Sequence, residues 1–317
     1  MTHKMKLAVG IDIGGTNTVF GLVDEKGSCL AQNSIKTGDF PVVEDFVDKV
    51  QKGVNALISN FKDSEIIGMG IGAPNANFYT GTIEHAPNLK WKGIVPLVTL
   101  FEAYFDFPIS LTNDANAAAM GERIYGAAQG VNDLVMVTLG TGLGSGFVVN
   151  GDLVYGHDGF AGELGHVIVE KNGRQCGCGN KGCLETYASA TGIVKTAKEF
   201  LAKSKDSVLA DLPEITSKAI ADAALQGDKL ALEIFDYTSD KLGFGLANMV
   251  AITSPKLIVL FGGLAQSGDL ILKPTKKYME QYLLKTFKDK IQIVPSQLNA
   301  ADAAILGASS LAWQTLS

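Results

Sequence analysis

One pattern limits how this chain can fold, and the chain uses it twice. An apolar, β-rich run ends in a glycine turn, a second β-rich run follows, and helices then alternate with strands. The first copy centres on DIGGTNTVFGLVD (12–24) and the second on LGTGLGSGFVVNG (139–151). The copies agree in the order of their elements rather than in their residues. Such alternation specifies sheets flanked by helices. Two copies within 317 residues specify two α/β lobes, in keeping with about two domains for this length. Two lobes would leave a cleft between them, where ligands tend to bind.

Three strands are expected within residues 5–35: MKLAVGID, NTVFGLVD and CLAQNSIKT. Val43, Phe46, Val47, Val50, Val54, Leu57 and Ile58 keep helical spacing. EIIGMGIG reads as a buried strand, APNANFYTGTIEHAPNLKW as turns, 94–105 as a helix, PISLTN as a strand, and an alanine-rich helix starts at Asp114. In the second half DLVMVTLG is a strand, TGLGSG a turn and FVVNG a strand; helical patterns fill 185–203 and about 211–252. LIVLFGG, a helix, the strand IQIVP and a helix over 302–316 close the chain.

At 46% hydrophobic and 19% charged residues the chain can bury a sizeable core. A net charge of −6 argues against a nucleic-acid surface, which would be basic. The longest uncharged stretch, 134–151, approaches a membrane span, but its glycines and threonines suit strand–turn–strand better. No targeting segment is evident, and a soluble cytoplasmic protein is expected. Thiols stay reduced there, so clustered cysteines more often bind metal than form disulfides.

Glycine turns cradle phosphates because backbone N–H groups can approach an anion unobstructed. Gly14 and Gly15, followed by Thr16 and Asn17, offer one such nest; Gly142, Gly144 and Gly146 with Thr141 offer another; Gly262 and Gly263 form a third glycine pair. Neither turn has the glycine spacing of a P-loop or a dinucleotide fingerprint, and ordinary hairpins are the alternative. Asp12 favours the first reading, since a carboxylate beside a phosphate is repulsive unless Mg²⁺ lies between them. Asn113 and Asp114 stand where a strand gives way to a helix. Aspartate is a favoured N-cap, but strand ends in α/β sheets also face the ligand crevice. A carboxylate there could accept a proton from a sugar hydroxyl during phosphoryl transfer.

Three of the four cysteines, Cys176, Cys178 and Cys183, share the loop RQCGCGNKGCLE (174–185). A disulfide, a metal or a reactive thiol could each explain them, as could buried small apolar side chains. His166 leads straight into the loop, and three thiolates with one imidazole make the set of a structural zinc site. The spacing Cys-x-Cys-x4-Cys departs from the usual CxxC pairs. Glu163 and Glu185 flank the cluster, either as solvated charges or, if the loop pins them, as acceptors for sugar hydroxyls.

Taken together, DIGGTNT, APNL, TNDANAAAMGE, GTGLGSG, GELGH, CGCGNKGCLE and FGG, in this order, resemble the ROK family of sugar kinases and repressors. The resemblance runs over nearly the whole chain, and CGCGxxGCxE after GELGH is its most specific part. It implies the actin-like ATPase (ribonuclease H-like) fold, with two lobes, each a mixed sheet flanked by helices, around a nucleotide–sugar cleft. The expected lobes are 1–113 with about 302–317, and 114–301 with a zinc-binding loop at 166–185. It implies that Asp12, Gly14, Gly15, Thr16 and Asn17 meet the nucleotide phosphates together with Thr141 and Gly142. Gly262 and Gly263 would lie near the adenosine. Asp114 would be the catalytic base. Asn88, Asn113, Asp114, Glu163, His166 and Glu185 would bind the hexose. His166, Cys176, Cys178 and Cys183 would hold Zn²⁺, and Mg²⁺ would accompany ATP. Many members carry glycine after the proline of a GxPG segment; GIGAPNANF places Asn75 there.

The expected activity is ATP-dependent phosphorylation of a hexose, glucose first, to the 6-phosphate. Kinases for N-acetylmannosamine, N-acetylglucosamine or fructose are alternatives, and a sugar-responsive repressor is a further one. The repressors place a helix-turn-helix before the kinase-like part, whereas only MTHKMK precedes the first strand here. No nucleic-acid or membrane partner is expected, and a homodimer is, since the family often forms dimers.

Overall fold

The computed structural model describes residues 4–298 and 302–314. The last two positions of the helix expected over 302–316, and the extreme ends of the expected N-terminal lobe, lie outside the described residues. Along the chain run β1 (Lys6–Ile13), β2 (Asn17–Asp24), β3 (Cys29–Lys36), α1 (Val43–Ile58), β4 (Glu65–Gly72), β5 (Ala76–Asn77), β6 (Thr82–Glu84), β7 (Ile94–Val95), α2 (Leu97–Glu102), β8 (Ile109–Thr112) and α3 (Asp114–Tyr125). There follow β9 (Leu134–Leu139), β10 (Leu143–Val149), β11 (Asp152–Leu153), α4 (Ala190–Leu201), α5 (Ser217–Leu225), α6 (Lys229–Thr253), β12 (Leu257–Phe261), α7 (Asp269–Tyr282), β13 (Gln292–Pro295) and α8 (Ala303–Gln314).

The chain forms two compact units. One comprises Met1–Gly130, Leu153–Ala161 and Gln297–Ser317; the other comprises Val131–Asp152 and Gly162–Ser296. Helix α3, which the sequence reading places at the start of the second lobe, packs in the first unit against α8. The first unit's sheet has the order β3-β2-β1-β4-β8 and the second's β11-β10-β9-β12-β13. In both, a central strand pairs antiparallel with its hairpin partner and parallel with a later strand: β1 with β2 and β4, β9 with β10 and β12. The repeat read from the sequence is thus a repeat of sheet order.

Strand alternation assigns the two faces of the first sheet. Leu7, Val9 and Ile11 point to one side, into a core with Phe20, Met69, Ile71, Phe101 and the Phe46, Val50 and Val54 stripe of α1. Ala8 and Gly10 point to the other side, where Ala312 and Ile305 of α8 pack. The helix lies so close that a Cβ on Gly10 would overlap the carbonyl oxygen of Ile305, and one on Gly70 the carbonyl oxygen of Ala308. Bare backbone at these two positions lets α8 seat on the sheet.

Four expectations change. The helix near 94–105 is only Leu97–Glu102, because Pro96 disfavours helical backbone at Val95, which pairs instead as β7. The turn TGLGSG narrows to residues 140–142, since β10 starts at Leu143 and its glycines join the ladder with β9. The pattern over 185–203 becomes a single 3₁₀ turn and then α4, separated by Ser189, which caps α4 by accepting from the Gly192 N–H. The pattern over 211–252 breaks at Gly227, whose φ is +85°, and Asp228 then caps α6. Among the described residues, no helix is long and apolar enough to cross a membrane.

The seating of α8 is testable. Gly70→Ala should lower stability in urea by about 3 kcal/mol or more. Gly38→Ala, with open space around it, should stay within about 0.5 kcal/mol of the parent. Equal midpoints for the two variants would refute the close-approach account.

Candidate active site

In the first unit the site residues gather at the carboxyl ends of three adjacent parallel strands. Asp12 on β1 stands opposite Gly72 on β4, and Gly72 opposite Thr112 on β8. Asn113 and Asp114 follow directly as the chain turns into α3. Asn113, not Asp114, is the cap: its Oδ1 accepts the Asn116 N–H at 2.7 Å. Asp114 therefore occupies the first helical position, with Oδ1 accepting its neighbour Ala115's N–H at 2.9 Å. A Cβ on Gly72 would lie 3.4 Å from Asp12 Oδ1 and 3.7 Å from the Asp114 Cα, so glycine leaves the two acidic residues side by side.

Two carboxylates so placed resist ionisation together. Burial first, and the charge of Asp114 second, push the Asp12 carboxyl up to about 7. Asp114 has an open side chain by surface area, yet the protein mass around its carboxyl still holds it above the usual range, partly offset by the Ala115 N–H. The donor set is hard oxygen, which suits Mg²⁺.

The β1–β2 turn is closed by the Gly14 N–H donating to the Asn17 carbonyl at 2.9 Å, with Gly15, Thr16 and Asn17 exposed at its tip. A Cβ on Gly15 would meet the Asn88 carbonyl oxygen at 2.8 Å, so Asn88 packs on the turn through its backbone. Asn75 has φ +52° and donates from Nδ2 to the Glu84 carbonyl at 3.0 Å. Its departure from glycine keeps the backbone requirement, since asparagine tolerates the left-handed region better than most residues. Sequence reasoning missed the aromatic packing beside this turn. Phe78 stacks on Tyr155 at 4.1 Å, and Tyr79 packs edge-on against Phe78 and Tyr155. Nothing in the spacing of these residues foretells it.

In the second unit Thr141 and Gly142 form the β9–β10 turn. The first turn of α4 grips it: the Ala190 N–H donates to the Gly140 carbonyl and Thr191 Oγ1 to the Thr141 carbonyl, both at 2.8 Å. The Gly144 N–H bonds to Thr138 Oγ1 at 3.1 Å and Gly146 lies within β10, so the sequence-proposed nest reduces to its first residues. Gly262, with φ +98°, and Gly263 follow the carboxyl end of β12, beside the end of β9.

The same unit brings His166, Cys176, Cys178 and Cys183 together, with one ligand atom from each lying within 4.8 Å of all the others. Cys178 Sγ is 3.7 Å from Cys183 Sγ, and Cys176 Sγ is 3.7 Å from His166 Nδ1. All four cysteines are free. A tetrahedron with metal–sulfur bonds of about 2.3 Å has edges of about 3.8 Å, so the four groups fit zinc in kind and spacing. His166 turns its other nitrogen, Nε2, toward Glu163 at 3.9 Å. Glu185 places Oε1 3.0 Å from Cys176 Sγ, while a Cβ on Gly142 would lie 2.7 Å from its Oε2. The sugar candidates of this unit thus border the cysteine cluster.

The raised Asp12 carboxyl implies a pH signature. Folded Asp12 keeps its proton up to about 7, whereas the unfolded chain releases it near 3.9. Its stabilising contribution is complete below the lower value and is lost as pH rises through the higher one. Melting of ligand-free protein between pH 4 and 8 should show Asp12→Asn gaining on the parent as pH rises. A difference that does not vary with pH would refute the shift.

The family model described as the ROK family matches residues 8–315. A glucokinase from Halalkalibacterium halodurans is 36% identical, with 96% of this chain and 94% of that protein covered. A glucokinase from Thermotoga maritima is 37% identical, with 97% of each covered. Among solved structures, a ROK family glucokinase from Streptomyces griseus in complex with glucose and AMPPNP has 34% identity and a TM-score of 0.77, covering 97% of this chain and 99% of that one. With the α/β units of mixed sheets and helices described above, these matches carry one conclusion: the chain belongs to the ROK family.

Proposed function

We propose that this protein is an ATP-dependent glucokinase that phosphorylates the 6-hydroxyl of glucose. The observation that carries the reading is the freeing of Asp114: Asn113 takes over the capping, and the Asp114 carboxylate is left beside Asp12 at aligned strand ends. The names borne by full-length relatives support glucose as the hexose.

Asp114 accepts the proton of the 6-hydroxyl as that oxygen attacks the γ-phosphorus, and the bond to the ADP oxygen breaks. A carboxyl held above its ordinary range is a stronger proton acceptor, which suits this role. The exposed tip of the β1–β2 turn, Gly15, Thr16 and Asn17, with Gly14 behind it, meets the phosphates together with Thr141 and Gly142. Gly262 and Gly263 lie against the adenosine. Asp12 would hold the magnesium that accompanies ATP, and that ion would supply charge to neutralise the phosphate oxygens. Asn88, Asn113, Glu163, His166 and Glu185 hydrogen-bond the sugar. Zinc on His166 Nδ1, Cys176, Cys178 and Cys183 would fix the loop and leave His166 Nε2 for a sugar hydroxyl. The reading expects a homodimer in the cytoplasm.

Coupled ADP release against glucose, N-acetylglucosamine, N-acetylmannosamine, mannose and fructose tests the substrate; a preference for another sugar would overturn glucose. Asp114→Asn should retain glucose binding by calorimetry while turnover falls between about a hundredfold and ten-thousandfold. Parental turnover in that variant would remove Asp114 from the role. Cys178→Ser should lose zinc by metal analysis and raise the KM for glucose by roughly tenfold or more. Full zinc content or an unchanged KM would contradict the loop's role.

A further inference from the structure

Arg174 opens the cysteine loop, and its side chain is 10% exposed. All five of its N–H donors have acceptors. Nε and Nη2 pair with the two carboxylate oxygens of Glu199 at 2.9 and 2.6 Å. Nη2 also donates to Thr196 Oγ1 at 2.9 Å. Nη1 donates to the carbonyls of Thr186 at 2.7 Å and Gly192 at 3.1 Å. The guanidinium carbon lies 4.5 Å from the centre of the Tyr187 ring, and the Arg174 N–H donates to that tyrosine's hydroxyl at 2.9 Å. The Arg174 carbonyl accepts the Gly182 N–H at 2.8 Å.

These bonds tie residue 174, before the cysteines, to residues 182, 186 and 187 around and after the last of them. Glu185 sits inside that closure. Its carbonyl accepts from Ser189 Oγ at 2.7 Å, and the next carbonyl in the chain is the one that Arg174 holds. The backbone that follows its Cα is therefore fixed by bonds that involve none of the four metal-type ligands.

We propose that Arg174 is a positioning residue for Glu185, closing the base of the cysteine loop independently of the metal. The proposal rests on Glu185 contacting the hexose. Lysine cannot replace it, because an ammonium has three donors on a flexible stem where the site uses a planar fork of five. A missing guanidinium leaves the buried Thr186 and Gly192 carbonyls without these partners.

The test is Arg174→Lys, purified with zinc. Metal analysis should still give one zinc per chain. The glucose KM should rise on the order of tenfold to a hundredfold, while the ATP KM stays within about twofold of the parent. Amide exchange at residues 184–188 should quicken with zinc bound, and a chelator should strip the zinc faster. A folded, zinc-loaded Arg174→Lys with parental glucose KM and parental exchange would overturn the proposal. If that variant does not fold, Thr196→Val removes one acceptor and leaves the fork in place. A raised glucose KM in it supports the proposal, and parental KM with parental exchange overturns it. If the parent phosphorylates no glucose, the functional reading fails, and amide exchange and zinc release alone decide whether Arg174 latches the loop.

Discussion

Two like charges held together at strand ends organise the first unit. Asp12 and Asp114 belong to different elements; burial raises both carboxyls, and the charge of Asp114 raises Asp12 further. A folded chain tolerates such a pair where ligand binding repays it. The sheet register sets Asp12, Gly72 and Thr112 in line, the missing side chain at Gly72 keeps the space open, and Asn113 relieves Asp114 of capping. Removing any of these would move a carboxylate without touching it directly.

The repeated sheet order has a chemical use. In an open sheet with parallel neighbours, the carboxyl ends of adjacent strands are where a ligand can be met. By repeating the order hairpin, central strand, parallel strand, the chain builds that kind of edge in each unit. One edge carries Asp12 with the 14–17 turn, and the other carries the 140–142 turn with Gly262 and Gly263. The cysteine cluster is an addition within the second unit, and through Glu185 it reaches the turn at Gly142.

How much of this was readable in advance depended on whether a signal is local. The span of α1 is plain in sequence because Phe46, Val47, Val50 and Val54 alone mark its buried stripe. The metal-type cluster is readable because three cysteines and a histidine fall within a short segment. The β10 start was hidden, since glycines suggest a turn while the ladder with β9, a tertiary effect, overrides them. Ser189, Asp228 and Pro96 did carry boundary signals, which a long apolar periodicity masks. Arg174 had no signal at all: one arginine in a loop has no spacing to read, and its acceptors lie as far as 25 residues onward.

The bare glycines beneath α8 carry a consequence for how the polypeptide matures. The face of the first sheet that holds Ala8, Gly10, Ile67 and Gly70 is covered by Ile305, Ala308 and Ala312 of α8. The second unit lies between, and its segments are complete earlier. The unit whose strands come first in the chain is thus completed by a helix that follows every segment of the other unit, so this face of its sheet stays bare until α8 has been made.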